Sequence, residues 1–198
     1  VFQTVDSGFV DGPVMGLAIR GDYGYLGFGP RPVVADVSDP TQPSVVGSTE
    51  VLPCRLTDVA AAGDYVFLAS GRGGLRVLDV SNAKSPKEVG SLCVEGAIAT
   101  VNVAGNYAFA SSRSGVIHVV NVTDPRAPSE MATYTTPRPA RGFDRPPPAP
   151  EAAVVNDYAC VAVDGKMLRV LDISDLKAPK EIGSYEVKDV AGVAAYGD

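Results

Sequence analysis

The chain has 198 residues, 45% of them apolar and 20% charged, with a formal net charge of −6 and a pI near 4.8. That is enough chain for one domain with a sizeable core. No stretch approaches the roughly 18 to 20 consecutive apolar residues of a membrane-spanning helix. The opening VFQTVDSGFV lacks the basic start and apolar middle of an export signal, so any such signal would have to precede Val1. The acidic balance argues against neutralising many nucleic-acid phosphates or lying on anionic lipid, both of which need clustered Lys and Arg.

In chain order, residues 1–9 read as the last strand of a unit whose earlier strands are missing, and a repeat then takes over. The segments RGDYGYLGFGPRPVVADVSDPTQPSVVGS, AGDYVFLASGRGGLRVLDVSNAKSPKEVGS, AGNYAFASSRSGVIHVVNVTDPRAPSEMAT and VNDYACVAVDGKMLRVLDISDLKAPKEIGS keep Tyr23, Tyr65, Tyr107 and Tyr158 in one slot, and Pro43, Pro86, Pro128 and Pro179 in another. A fixed period of this size decides architecture before any local signal does. Each unit splits into four short apolar runs bounded by turn residues, with almost no helical periodicity. In the second unit the runs are LTDVAAAG, DYVFLAS, GLRVLDVS and KEVGSLCV, here strands a, b, c and d. Strand a is rich in small residues (Ala60, Ala61, Ala62; Val103, Ala104; Ala152, Ala153), while b carries the aromatics. Crowding around a central axis accounts for that gradient in an all-β propeller of four-stranded antiparallel blades. Strand c is apolar on nearly both faces, as expected of a blade sandwiched between two others.

The expected blades cover approximately 14–51, 56–94, 98–135 and 151–187, with a proline-rich insertion at 136–150. Residues 189–198 read as strand a of a further unit followed by its Gly-Asp turn. Four blades are then complete and one only begun, and the expectation is a window on a longer propeller of about six to eight blades.

The pattern G-[DN]-Y-x-[YF], then G-L-R-V-[LV]-D-V-S-[DN], then a proline and V-G-S resembles the LVIVD repeat of bacterial and archaeal proteins, and covers roughly residues 14–198. The resemblance implies a propeller and an extracytoplasmic location (periplasmic, secreted or cell surface). It implies no catalytic residues, because that family has no common enzymatic activity.

Candidate sites start from the one break in period. Tyr107 and Tyr158 are 51 residues apart where the other tyrosines are 42 apart. The extra residues fall in TTPRPARGFDRPPPAPE, whose prolines favour an extended, stiff segment that loses little entropy when ordered by a partner. Arg138, Arg141, Phe143 and Arg145 make it basic and aromatic on an acidic chain, types enriched in interface hot spots, and are the expected protein-partner contacts. The bland alternative is a solvated loop stiffened by proline.

His118, the only histidine, sits in the strand c slot of Arg76 and Arg169, which points to a structural place on the blade surface, with no nucleophile placed by motif. Asp36, Asp79, Asn121 and Asp172 end strand c, and Asp39, Asn82, Asp124 and Asp175 follow three positions later. Short side chains of this kind fix turns through nearby amides, and Pro40 and Pro125 help set two of them. Calcium is the rival, but no D-x-[DN]-x-[DN]-G loop is present, so neither metal nor cofactor is called for. Cys160 takes the strand b slot of Tyr25, Phe67 and Phe109 and is expected to be a buried filler. Cys54 and Cys93 lie near successive d-to-a connections, which leaves a disulfide open. Gly71-Arg72-Gly73-Gly74 reads as a tight turn, since no helix follows to cradle a phosphate.

The expected function is a non-catalytic scaffold for protein-protein interaction, a subunit of a larger extracytoplasmic or cell-surface assembly with no membrane-spanning segment of its own. One alternative is an enzyme or small-ligand binder using the central channel, with Thr57, Asp58 and Asn102 as the candidates on strand a. The other is a structural surface or stalk protein.

Overall fold

The computed structural model of the chain describes residues 13–136, 149–163, 165–188, 190 and 193. Every regular element among them is a strand. The first sheet contains β1 (Val14–Arg20), β2 (Tyr23–Phe28), β3 (Arg31–Asp36) and β4 (Ser44–Ser48); the second contains β5 (Asp58–Ala62), β6 (Tyr65–Ala69), β7 (Leu75–Asp79) and β8 (Lys87–Leu92). The third has β9 (Ile98–Ala104), β10 (Tyr107–Ser112), β11 (Val116–Asn121) and β12 (Ser129–Thr135); the fourth has β13 (Glu151–Val155), β14 (Tyr158–Val163), β15 (Met167–Asp172) and β16 (Lys180–Glu186). Each sheet is an antiparallel meander in sequence order, which is the four-stranded blade expected from the repeat.

The register repeats as closely as the sequence does. Tyr23, Tyr65, Tyr107 and Tyr158 stand opposite Asp36, Asp79, Asn121 and Asp172, so the tyrosine slot and the Asx slot are cross-strand neighbours in all four blades. The a-to-b turns need a residue at positive φ. Gly21, Gly63 and Gly105 supply it at 55° to 57°, and Asn156, the side chain that best tolerates this region, supplies it at 52° in blade 4.

The apolar core lies between blades and not within them. Tyr25 and Val34 of blade 1 pack on Val59, Val66, Leu68, Leu78 and Val80 of blade 2. Phe67, Leu75 and Val77 of blade 2 then meet Ile98, Val101, Ala108 and Val120 of blade 3. Phe109, Ile117 and Val119 of blade 3 meet Ala152, Ala159, Val161, Leu171 and Ile173 of blade 4. Each blade thus has a back side facing its predecessor and a forward side facing its successor. The first strands β1, β5, β9 and β13 run side by side along the inner edge, where small residues permit close approach.

Outer strands are joined by a notch. A β-bulge interrupts the c–d pairing between Val34 and Ala35 and again between Val77 and Leu78. Opposite it sit Gly47 and Gly90, where a Cβ would fall 2.1 Å from the Ala83 carbonyl oxygen and 2.2 Å from that of Pro125. At these two junctions the c-to-d turn of the next blade seats its backbone against a glycine, whereas blade 3 carries Ala132 in the same slot, opposite Val119.

Candidate functional site: the inner rim and the proline-rich loop

Strand directions in an a-b-c-d meander put the b-to-c turns and d-to-a connections on one face of the propeller, and the a-to-b and c-to-d turns on the other. The first face carries the break in period. Its near end is tied down at Thr136, which is buried and whose amide and hydroxyl both donate to the Gly115 carbonyl, at 2.9 and 2.8 Å. Its far end is tied at Pro150, whose carbonyl accepts the Thr100 hydroxyl at 2.9 Å. The expected contact residues Arg138, Arg141, Phe143 and Arg145 lie between these anchors and outside the described residues.

Two of the three inner-rim candidates, Thr57 and Asp58, hold blades together. Thr57 donates its hydroxyl to the carbonyls of Ile98 at 3.0 Å and Ala69 at 3.2 Å. The Asp58 carboxylate spans two blades, with Oδ1 accepting the Val59 amide and Oδ2 the Val101 amide, both at 2.9 Å. Burial pushes its carboxyl above the ordinary carboxylate range, against the pull of those two amides. Asn102 stands opposite Phe109 in the β9–β10 ladder and does not join this pair.

Glu151 was missed by sequence reasoning. Its carboxyl is also raised, first by burial and then by the charge of Asp58, while the Val193 amide donates to it and lowers it. The signal lies in one column of the repeat: Gly16, Asp58, Thr100 and Glu151 stand at the same strand a position. Asp58 reaches a backbone amide of blade 3, and Thr100 a backbone carbonyl of blade 4. At Gly16 a Cβ would lie 2.7 Å from the Val59 amide nitrogen, so the same approach is made there by bare backbone.

The remaining candidates resolve as structural parts, with two corrections. His118 is 1% exposed and so is not on the blade surface. Its Nδ1 lies 2.8 Å from Glu130 Oε2, as Arg76 pairs with Glu88 and Arg169 with Glu181 across the same strands of blades 2 and 4. Arg and His share the slot because both reach the acid on strand d. Cys160 keeps the register of Tyr25, Phe67 and Phe109, opposite Val170, yet it is only half-buried where those three are 3% to 6% exposed. Cys54 and Cys93 are free thiols.

The Asx residues build the paired turns expected of them. Asp36 accepts the Ser38 amide and hydroxyl, and Asp39 those of Thr41, at 2.9 and 2.6 Å in each case. Asp79, Asn82, Asn121, Asp124, Asp172 and Asp175 accept equivalent amides two residues on. These bonds hold Asp36, Asp39, Asp79 and Asp172 below the usual carboxylate range. No group of three or more metal-ligating side chains is assembled among the described residues. The Gly71–Gly74 segment is a tight turn closed by Gly73 N to Ser70 O at 2.7 Å.

Known proteins fit this geometry. The LVIVD repeat family model matches residues 11–51, 56–94, 95–136 and 149–187. No curated protein matches the chain. Among solved structures it is similar to the computationally designed Ika4 protein, at 14% identity and a TM-score of 0.61 over 86% of this chain and 97% of that one. It is also similar to the computationally designed Ika8 protein, at 13% identity and a TM-score of 0.68 over 93% of this chain, spanning 53% of the Ika8 chain. Both likenesses concern the fold.

Proposed function

The chain belongs to the LVIVD repeat family, and on that premise we propose that this propeller is a non-catalytic scaffold for protein-protein interaction, a subunit of an extracytoplasmic or cell-surface assembly. The observation that carries the reading is how the polar groups of the inner rim are used. Both oxygens of Asp58 accept backbone amides, and Thr57 and Thr100 staple blade to blade, so the side chains a channel-borne chemistry would need are engaged in assembly. The same face carries the only break in the repeat period, and its basic, aromatic and proline-rich sequence suits partner contact. Arg138, Arg141, Phe143 and Arg145 are the proposed anchors.

Replacing those four with Ser tests the placement. Partners recovered by crosslinking in the native source are expected to be lost with the variant while its thermal unfolding stays unchanged. Undiminished recovery of every partner would move the contact elsewhere.

A further inference from the structure

We infer that Asn121 is the acceptor of an N-linked oligosaccharide, carried by Asn121-Val122-Thr123 at the start of the c-to-d turn of blade 3. The inference rests on the extracytoplasmic location proposed above, where such sugar transfer takes place, and is independent of the role given to the 136–150 insertion.

The first observation is a departure from the repeat. The residues that close strand c read Asp36-Val37-Ser38, Asp79-Val80-Ser81 and Asp172-Ile173-Ser174 in blades 1, 2 and 4, but Asn121-Val122-Thr123 in blade 3. The turn does not ask for asparagine, since the aspartates accept the same amide two residues on. Glycosylation does ask for it, with a hydroxyl residue two positions later and no proline between. Of the five asparagines in the chain, Asn121 alone meets that requirement.

The second is that the reacting groups face solvent. Asn121 is partly exposed at the end of β11, and Thr123 is exposed. The Thr123 amide donates to Asn121 Oδ1 at 2.8 Å in an exposed bond, which turns Nδ2 outward. That nitrogen makes no hydrogen bond to the described residues and is not one of their buried unpaired polar atoms. In blades 1 and 2 the serine hydroxyl is tied to the Asp oxygen at 2.6 Å, whereas Thr123 bonds Asn121 through its amide and keeps its hydroxyl for an approaching transferase.

The third is room for a sugar. In blade 2 the same slot gives onto a polar hollow of about 140 Å³ lined by Asp79, Ser81, Asn82, Ser85 and Lys87. Across the strands Asp79 faces Lys87, but Asn121 faces the much shorter Ser129. The c-to-d turns also lie on the face opposite the 136–150 insertion, so a glycan here leaves the proposed partner face clear.

In the transfer, Asn121 Nδ2 bonds to the anomeric carbon of a lipid-pyrophosphate oligosaccharide. The bond from that carbon to the phosphate oxygen breaks, the lipid pyrophosphate leaves with the electron pair, and the amide gives one proton to the transferase.

The test is peptide mass spectrometry of the protein from its native source, separated into cytoplasmic and exported fractions. Trypsin releases residues 114–126 as one peptide, in which Asn121 is the sole asparagine. In exported protein this peptide is expected to carry a sugar mass that fragments to Asn121. Asn121→Asp, which restores the lock of the other three blades, is expected to lose that mass completely in a folded protein, as is Thr123→Ala, while Thr123→Ser keeps it. An unmodified peptide from exported protein would overturn the inference and leave the location standing. An unmodified peptide from protein found only in the cytoplasm would overturn both. A sugar mass that persists in Asn121→Asp would place the modification on a hydroxyl and overturn the assignment.

Discussion

Blades 2 and 4 carry nearly the same third and fourth strands, LRVLDVS and KEVGS against LRVLDIS and KEIGS, and differ in what lies in front of them among the described residues. Gly90 and Gly183, Tyr65 and Tyr158, Val77 and Val170 occupy equivalent positions, yet the first of each pair is packed against blade 3 and the second is open or half-open. The difference teaches that the repeat encodes a junction and not a self-sufficient blade. A single sheet of this kind has two apolar sides and becomes stable only when neighbours cover them.

The comparison breaks most sharply in the core. Leu68 on the back side of blade 2 is 1% exposed, while Leu26 in the same slot of blade 1 is half-buried. Leu68→Ala is expected to cost about 2–5 kcal/mol in urea unfolding, and Leu26→Ala less than about half of that. Equal losses would mean that junction burial does not set stability.

Next come the notches. Gly90→Ala puts a methyl onto the Pro125 carbonyl and is expected to cost about 1–3 kcal/mol, whereas Gly183→Ala should stay within about 0.5 kcal/mol of the parent, both read by thermal unfolding. Across the blade 2–3 rim, Asp58→Ala strands the buried Val101 amide and is expected to cost about 1–2 kcal/mol.

The smallest effects are in pH dependence, and they have opposite signs. Burial raises the Asp58 carboxyl in the folded state, so its contribution is present at acid pH and is lost as pH rises through the raised value. The stability advantage of the parent over Asp58→Asn should therefore shrink from pH 4 to pH 7. Asp79 is lowered by its Ser81 bonds, so its contribution is present above the usual carboxylate range and is lost as pH falls through the lowered value. Asp79→Asn, which keeps the acceptor as Asn121 does in blade 3, should flatten the acid limb of the stability curve.

Strand content, meander order and blade spacing were legible because each rests on local periodicity and turn chemistry. The tyrosine, Asx and proline slots carry them residue by residue. Glu151 was not legible, because a lone Glu at a strand start has no local signature. Its environment comes from Asp58, 93 positions earlier in the chain, and from Val193. His118 was read correctly as the equivalent of Arg76, but its burial depends on a neighbouring layer that strand periodicity does not describe.

The sequence by itself determined the unit: four strands, their register, the glycine or asparagine turns and the Asx locks, all set by interactions within one repeat. The tertiary structure alone decided which copies of a repeated side chain are covered. Burial is a property of the space between two blades, so identical residues at Tyr65 and Tyr158 have different surroundings: among the described residues, Tyr65 packs at the junction with blade 3 and Tyr158 is exposed.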